Sequence, residues 1–286
     1  MSNLKHSLTY NEEVTQYSKK DAVHALMYAG YVTLMVLLFF VVVNTVGVFR
    51  DSDGQLSFAA QILGVVSVPM YIGLLFVILK KKGQTLRSVG LHLIDWKKSL
   101  FVGLLYFVVF VIVLSLLPGL MFGWRLNDPL TLIWLTVYLL IMAVWEDVVF
   151  IGYIQTRIYG LVKKDLWAIA LGGFVFAAFH YPNLVAGYIL GVTMFDVGFW
   201  LYFLMMTASW ILMHVLYNSV FRKYRSIISV LLFHFSWNVV MRNDLWAYTG
   251  DGMSIIHQTV IMIVTVWGTM FAVTLLPKLI KLKTAV

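Results

Sequence analysis

The sequence predicts an all-α fold: a polytopic membrane helix bundle of about eight transmembrane helices with one short re-entrant or interfacial segment. Three observations predict it. Hydrophobic residues make up 61% of the chain and charged residues 12%, far from the averages of soluble domains. Several apolar runs exceed the ~18 residues needed to cross hydrocarbon. The basic residues gather between those runs, where orientation in a bilayer puts them. The formal charge of +8 is thereby accounted for without nucleic acid. With no cysteine, a disulfide framework, a thiolate metal site and a thiol nucleophile are excluded.

The elements follow in chain order. Residues 1–22 are polar, carry Lys5, Lys19 and Lys20, and read as a cytoplasmic N-terminal tail. The polar start and the long first apolar run argue against a cleaved signal peptide. N-terminal transmembrane helices fill 23–129. Val23–Phe49 is the first span, closed by the polar turn Arg50–Gly54. Phe58–Leu79 is the second, stopped by Lys80, Lys81 and Lys82. Thr85–Ser99 mixes apolar residues with Arg87, Lys97 and Lys98, and is expected to be a linker or an interfacial segment anchored by Trp96. Leu100–Leu117 is the third span, ended by Pro118-Gly119, and Met121–Asp128 is a loop.

A core region, 130–240, comes next. The fourth helix starts at Leu130 and runs towards Lys163. Leu166–His180 is the fifth, and Tyr181-Pro182-Asn183 is expected to break it. Leu184–Phe195 is apolar but too short to cross, so it is the re-entrant or interfacial segment. Phe199–Phe221 is the sixth span, stopped by Arg222, Lys223 and Arg225, and Ser226–Val240 is the seventh. Residues 241–286 hold the last span, Ile255–Leu276, and a cytoplasmic C-terminal tail without a lipidation box. Charge supports this count. If Leu184–Phe195 does not cross, every Lys and Arg except Arg50, Arg125 and Arg242 falls on the cytoplasmic side, with both termini there.

The chemistry is concentrated in Trp145-Glu146-Asp147-Val148-Val149-Phe150-Ile151-Gly152. Two adjacent acids close an almost uncharged apolar run. A carboxylate within a membrane span costs at least a few kcal/mol, so it marks a functional site by default. His180 closes Phe176-Ala-Ala-Phe-His180, and His234 opens His234-Phe-Ser-Trp-Asn238. At ~1.5 Å per residue, Glu146 lies ~25 Å before Lys163 and His180 ~24 Å after Lys164. A hairpin turning at that lysine pair would set acid and histidine at matching depth. His234 lies ~16 Å from Lys223 and Asn238 ~22 Å, near the same level. A buried carboxylate can serve as general base for water, with a histidine sharing the proton. A second histidine and an amide can donate to an oxyanion. Glu146, His180 and His234 would also suit zinc, although no His-Glu-x-x-His box is present.

These three segments resemble the motifs of the CAAX-protease and bacteriocin-processing (CPBP) family of intramembrane proteases, also called the abortive-infection family. The first family motif, Glu-Glu-x-x-x-Arg, is matched by Glu146-Asp147 with Ile151 at the Arg position. The second, Phe-x-x-x-His, is matched by Phe176 and His180. The third, His-x-x-x-Asn, is matched by His234 and Asn238. The resemblance covers roughly Leu130 to Val240. It implies that Glu146 and His180 activate water to cleave a membrane-associated peptide or protein, and that His234 and Asn238 stabilise the oxyanion. Asp147 and Phe176 would support those residues. No cofactor is required on the glutamate-dependent form of this chemistry. In the metal-dependent form, zinc would be held by Glu146, His180 and His234. The expected location is a bacterial cell membrane. Two departures fall together: Asp147 replaces the second Glu, and Ile151 replaces the Arg that could pair with it four residues on.

The departures keep a second reading open, a non-catalytic CPBP-fold protein in bacteriocin self-immunity or membrane scaffolding. A proton-relaying transporter is a third, against which no repeated pair of broken helices is found. Other polar residues have duller readings. His214-Val-Leu-Tyr-Asn218 repeats the His-x-x-x-Asn pattern and is set aside as an inner-end coincidence. Arg157 is expected to snorkel to the cytoplasmic surface. His257, Trp96, Trp124, Trp246 and Tyr248 are expected at interfaces, and the 14 methionines in packing.

Overall fold

The computed structural model describes residues 10–46, 57–92, 96–122, 125–126, 128–189, 197–241 and 246–247. The predicted last span Ile255–Leu276, His257, Trp124, Tyr248 and the turn Arg50–Gly54 lie outside them. The described elements are helices α1 (Tyr10–Thr15), α2 (Lys19–Thr45), α3 (Phe58–Lys81), α4 (Trp96–Phe122), α5 (Pro129–Glu146), α6 (Thr156–Ile158), α7 (Asp165–Ile189), α8 (Val197–Tyr224) and α9 (Ile227–Met241). A short 3-10 helix covers Leu86–Val89, and a π-helical stretch, Asp147–Gln155, joins α5 to α6. The only β-pairing among the described residues is the two-residue contact of β1 (Arg125–Leu126) with β2 (Trp246–Ala247).

Four helices among the described residues are long and apolar enough to cross a membrane: Lys19–Thr45, Phe58–Lys81, Pro129–Ile158 and Phe199–Tyr224. Large apolar side chains point outwards along them, as with Met70 at 59% exposed. Water would penalise such a surface, whereas lipid does not.

The chain divides into two compact units. The first combines residues up to Gln84 with Val149–Asn218. Within it, α2 packs on α7 and α6. Ala22, Ala25, Ala29 and Val32 form the buried stripe of α2, small enough to let a neighbouring backbone approach. Ser18 caps α2 in a reciprocal capping box with Asp21, which satisfies two otherwise orphaned donors. Asp21 also receives Lys82 Nζ at 2.7 Å. Tyr28 donates to the Tyr71 carbonyl at 2.7 Å and meets the Tyr153 ring edge-on. Within the expected tail, Tyr10–Thr15 is helical and Val14 and Tyr17 are buried.

Two expectations are corrected in this unit. The fifth helix does not end at His180 or break at Tyr181-Pro182-Asn183, because α7 continues through Pro182 to Ile189. Proline removes only one N–H from the ladder, and membrane helices tolerate that. Residues 184–189 thus extend α7 instead of starting a separate segment, and 190–196 lie outside the described residues. Arg157, expected to snorkel, is 0% exposed. Its guanidinium lies 4.5 Å from the Tyr17 ring centroid and 4.5 Å from that of Tyr153. One terminal nitrogen donates to the Gly152 carbonyl at 3.1 Å and to Thr156 Oγ1 at 2.7 Å. The other reaches Gln84 Oε1 at 2.7 Å. A weakly hydrated, planar cation is well suited to such stacking and forked bonding.

The second unit comprises Thr85–Val148 and the chain from Ser219. Here α4 and α5 both pack on α9. A Cβ on Gly103 would come within 2.9 Å of Leu232 Cδ1 and 3.0 Å of the Ile228 carbonyl, so glycine permits the close crossing of α4 and α9. Tyr106 lies against Phe233 and Tyr224, and Phe107 stacks on Phe235. Gly90, at φ +77°, accepts from the Ile227 amide at 3.2 Å through its carbonyl. That ties the segment following α3 to the start of α9. Residues 96–99, expected in the linker, form the first turn of α4. That helix also continues past Pro118-Gly119, where the third span was expected to end. Asp128 caps α5 by accepting from the Leu130 and Thr131 amides. The Thr131 bond in particular holds its carboxyl below the usual carboxylate range.

Candidate functional site

Glu146 is the last residue of α5, and Asp147 opens the π-helical stretch. A π-helix bonds i to i+5, and such widenings gather at functional sites. One turn beyond Asp147 is therefore five residues away, not four. The Arg position of the first motif holds Ile151, which is completely buried.

Asp147 has a different partner. Its Oδ1 lies 2.9 Å from Nδ1 of His234, on α9. The other ring nitrogen, Nε2, is 3.7 Å from Glu146 Oε2. The imidazole thus stands between the two acids, bonded to one and near the other. The side chains of Asp147 and His234 are 1% and 4% exposed, while that of Glu146 is 13% exposed. Glu146 is the member of the trio with more access. Asp147 Oδ2 is also buried and has no partner among the described residues. Asn238 lies one turn beyond His234 on α9, half-buried. Glu146, Asp147, His234 and Asn238 all belong to the second unit.

Phe176 and His180 lie on α7, in the first unit. His180 Nδ1 is 2.9 Å from the Phe176 carbonyl. The Phe176 ring meets His180 edge-on at 4.7 Å, and Phe179 does so at 4.9 Å. Trp210 of α8 lies nearly parallel to the imidazole, with centroids 4.7 Å apart and planes 17° from each other. Phe176 also packs against His214 at 5.5 Å.

The duplicate His214-x-x-x-Asn218, set aside from the sequence, lies in the packed interior of the first unit. Both residues are buried, and His214 Nε2 is 2.7 Å from Gln155 Oε1. Gln155 in turn donates to the Ala168 carbonyl at 3.3 Å. A Cβ on Gly172 would overlap Gln155 Oε1 and His214 Nε2, so only glycine leaves room for this polar pair. Sequence reasoning missed Trp210 and Gln155. A lone amide in an apolar helix was an available signal for Gln155. Nothing distinguished Trp210 from the other aromatic residues of its span.

No group of three or more His, Asp or Glu with metal-binding geometry occurs among the described residues. Glu146 and His234 together offer two donors, whereas a catalytic zinc takes about three protein ligands.

The helices and the buried acid–histidine cluster define a polytopic membrane protein with titratable groups inside its helical core. Residues 128–240 match the family model described as Rce1-like, type II CAAX prenyl endopeptidase Rce1-like. That stretch is therefore similar to the CAAX-protease type of membrane endopeptidase, the family to which the three motifs were likened. No curated protein and no solved structure matches the chain.

Proposed function

We propose that the protein is an intramembrane, glutamate-dependent endopeptidase acting on a membrane-associated peptide or protein. The observation that carries the reading is His234 held between Glu146 and Asp147. Nε2 and the Glu146 carboxylate, 3.7 Å apart, are too far for a direct hydrogen bond. One water can bond to both at ordinary distances. Glu146 removes a proton from that water as its oxygen adds to the scissile carbonyl carbon. The carbonyl electrons become an oxyanion, which accepts hydrogen bonds from His234 Nε2–H and the Asn238 amide. The C–N bond then breaks, and the proton taken by Glu146 passes to the departing nitrogen. His180 is assigned its share in activating water from its motif and from the ordered setting of its own ring. Asp147 orients His234 and balances its charge when both ring nitrogens carry hydrogen. On this reading Asp147 takes a role that needs no Arg at position 151.

The substitutions at 147 and 151 also suit a non-catalytic member of the family that binds a peptide, for self-immunity or as a scaffold. One experiment separates the two: N-terminal profiling of membranes from cells with wild-type protein or Glu146→Ala at equal abundance. New termini seen only with wild type would support the endopeptidase and name its substrates. No Glu146-dependent termini, with the phenotype intact in the variant, would overturn the endopeptidase in favour of the binding protein. By the positive-inside rule both chain termini face the cytoplasm.

A further inference from the structure

We propose that Trp210 is a positioning residue that locks the His180 ring in one plane and one tautomer, leaving Nε2 as its proton-accepting nitrogen. The proposal rests on the reading in which His180 acts on the attacking water.

The atom facing His180 Nδ1 at 2.9 Å is the Phe176 carbonyl oxygen. A carbonyl only accepts, so Nδ1 carries the hydrogen in this bond, and Nε2 of the neutral ring keeps its lone pair. That bond survives only while the ring keeps its plane, and the outer torsion of histidine is broad. The nearly parallel Trp210 ring supplies the constraint over one face. The edge contacts of Phe176 and Phe179 confine the ring further.

Trp210 is itself held in register. Phe203, Thr207, Trp210 and His214 follow one another at helical spacing on α8 and meet α7. Phe203 packs on Tyr181 at 4.7 Å. Thr207 Oγ1 lies 3.3 Å from Tyr181 Oη, hydroxyl to hydroxyl. Trp210 covers His180, and His214 covers Phe176. A tryptophan that only filled space would need no parallel alignment with the imidazole. Offset stacking of this kind is the arrangement that ring quadrupoles favour.

The test is ¹⁵N-histidine NMR of the full-length protein in detergent micelles, with His180→Gln identifying the signal. Wild type should show His180 as the Nδ1–H tautomer. Trp210→Phe keeps a stacking ring and should preserve it. Trp210→Leu keeps bulk without a flat face and should give a mixture of tautomers, as should Trp210→Ala. An Nε2–H tautomer in wild type would overturn the proposal, whether or not any variant folds. So would an unchanged signal in folded Trp210→Leu. On a substrate found by terminal profiling, Trp210→Leu should lower kcat by about 10–100-fold with KM little changed, and Trp210→Phe should restore it. The NMR result does not depend on turnover. A locked tautomer without Glu146-dependent termini would leave the positioning intact and remove the protease reading. Glu146-dependent termini with an unlocked ring would do the reverse.

Discussion

Asp147 Oδ1 and His234 Nδ1 are 2.9 Å apart and both side chains are almost fully buried, so the first and third motifs are joined by a hydrogen bond. That bond stands where an Arg pair would otherwise be expected. The second acid has turned from a partner on its own helix to a ring on another. If the bond operates in the membrane, Asp147 and His234 should be energetically coupled. A double-mutant cycle with Asp147→Ala and His234→Ala, read from unfolding in mixed micelles, should give about 0.6–1.7 kcal/mol. Additive effects would mean that the bond contributes nothing.

Restoring the family pattern piecemeal should be harmful. Ile151 is completely buried, and the nearby acid is already bonded to His234. Ile151→Arg should therefore destabilise the protein by about 2.5 kcal/mol or more, seen as lower folded yield and earlier thermal unfolding in detergent. Adding Asp147→Glu tests for compensation. A double variant that folds and cleaves faster than wild type would mean that the natural departures weakened the site. One that folds well but cleaves no faster would mean that Asp147 is adequate as it stands.

Gly172 predicts a contrast among helical glycines. A methyl there would strike Gln155 Oε1 and His214 Nε2. Gly172→Ala should destabilise by about 1–3 kcal/mol, as overpacking does. Gly30→Ala and Gly73→Ala meet nothing within 4 Å and should be neutral or stabilise by up to about 1 kcal/mol through helix propensity. Thermal unfolding of the three variants in one detergent checks the order. Equal effects would mean that the Gln155–His214 pair is not packed against α7.

The helical membrane fold was legible because hydrophobic run length and basic stops act locally. Apart from α7, which runs to Ile189 and not to the expected end at His180, the described helices begin and end within about five residues of the predicted spans. What was not legible depends on distant partners or on small changes in helix winding. Pro182 looks like a breaker until the rest of α7 sustains the helix around it. The π-helical stretch has no strong sequence signature, yet it changes which residues lie one turn from Asp147. Candidate acids and histidines stood out because charge is rare in these spans. That His234 would bond Asp147 could not be read from spacing, because the α5–α9 contact sets it. Trp210 was hidden among aromatic residues whose individual roles only geometry separates.

Arg157 was misjudged for the same reason, and its correction yields a prediction about the N-terminal segment. Its partners Tyr17, Gln84 and Tyr153 come from three separate stretches of chain. Nearby, the Ser18 carbonyl crosses so close to Gly160 that a Cβ there would overlap it. The guanidinium thus fastens the residues preceding α2 to the α6 region of the same unit. Arg157→Ala forfeits a buried cation–π contact and several hydrogen bonds, together about 2–4 kcal/mol. Arg157→Lys should recover little, since an ammonium cannot reproduce the planar fork. Tyr17→Phe keeps the ring and should behave almost as wild type, whereas Tyr17→Ala should not. The readout is limited trypsin cleavage after Lys19 and Lys20 in the folded, detergent-bound protein. Cleavage there requires local opening of the α2 start, so it should accelerate in Arg157→Ala, Arg157→Lys and Tyr17→Ala. The effects of Arg157→Ala and Tyr17→Ala should not add, because each removes the same clamp. Equal cleavage rates in all variants would show that Arg157 does not hold the segment in place.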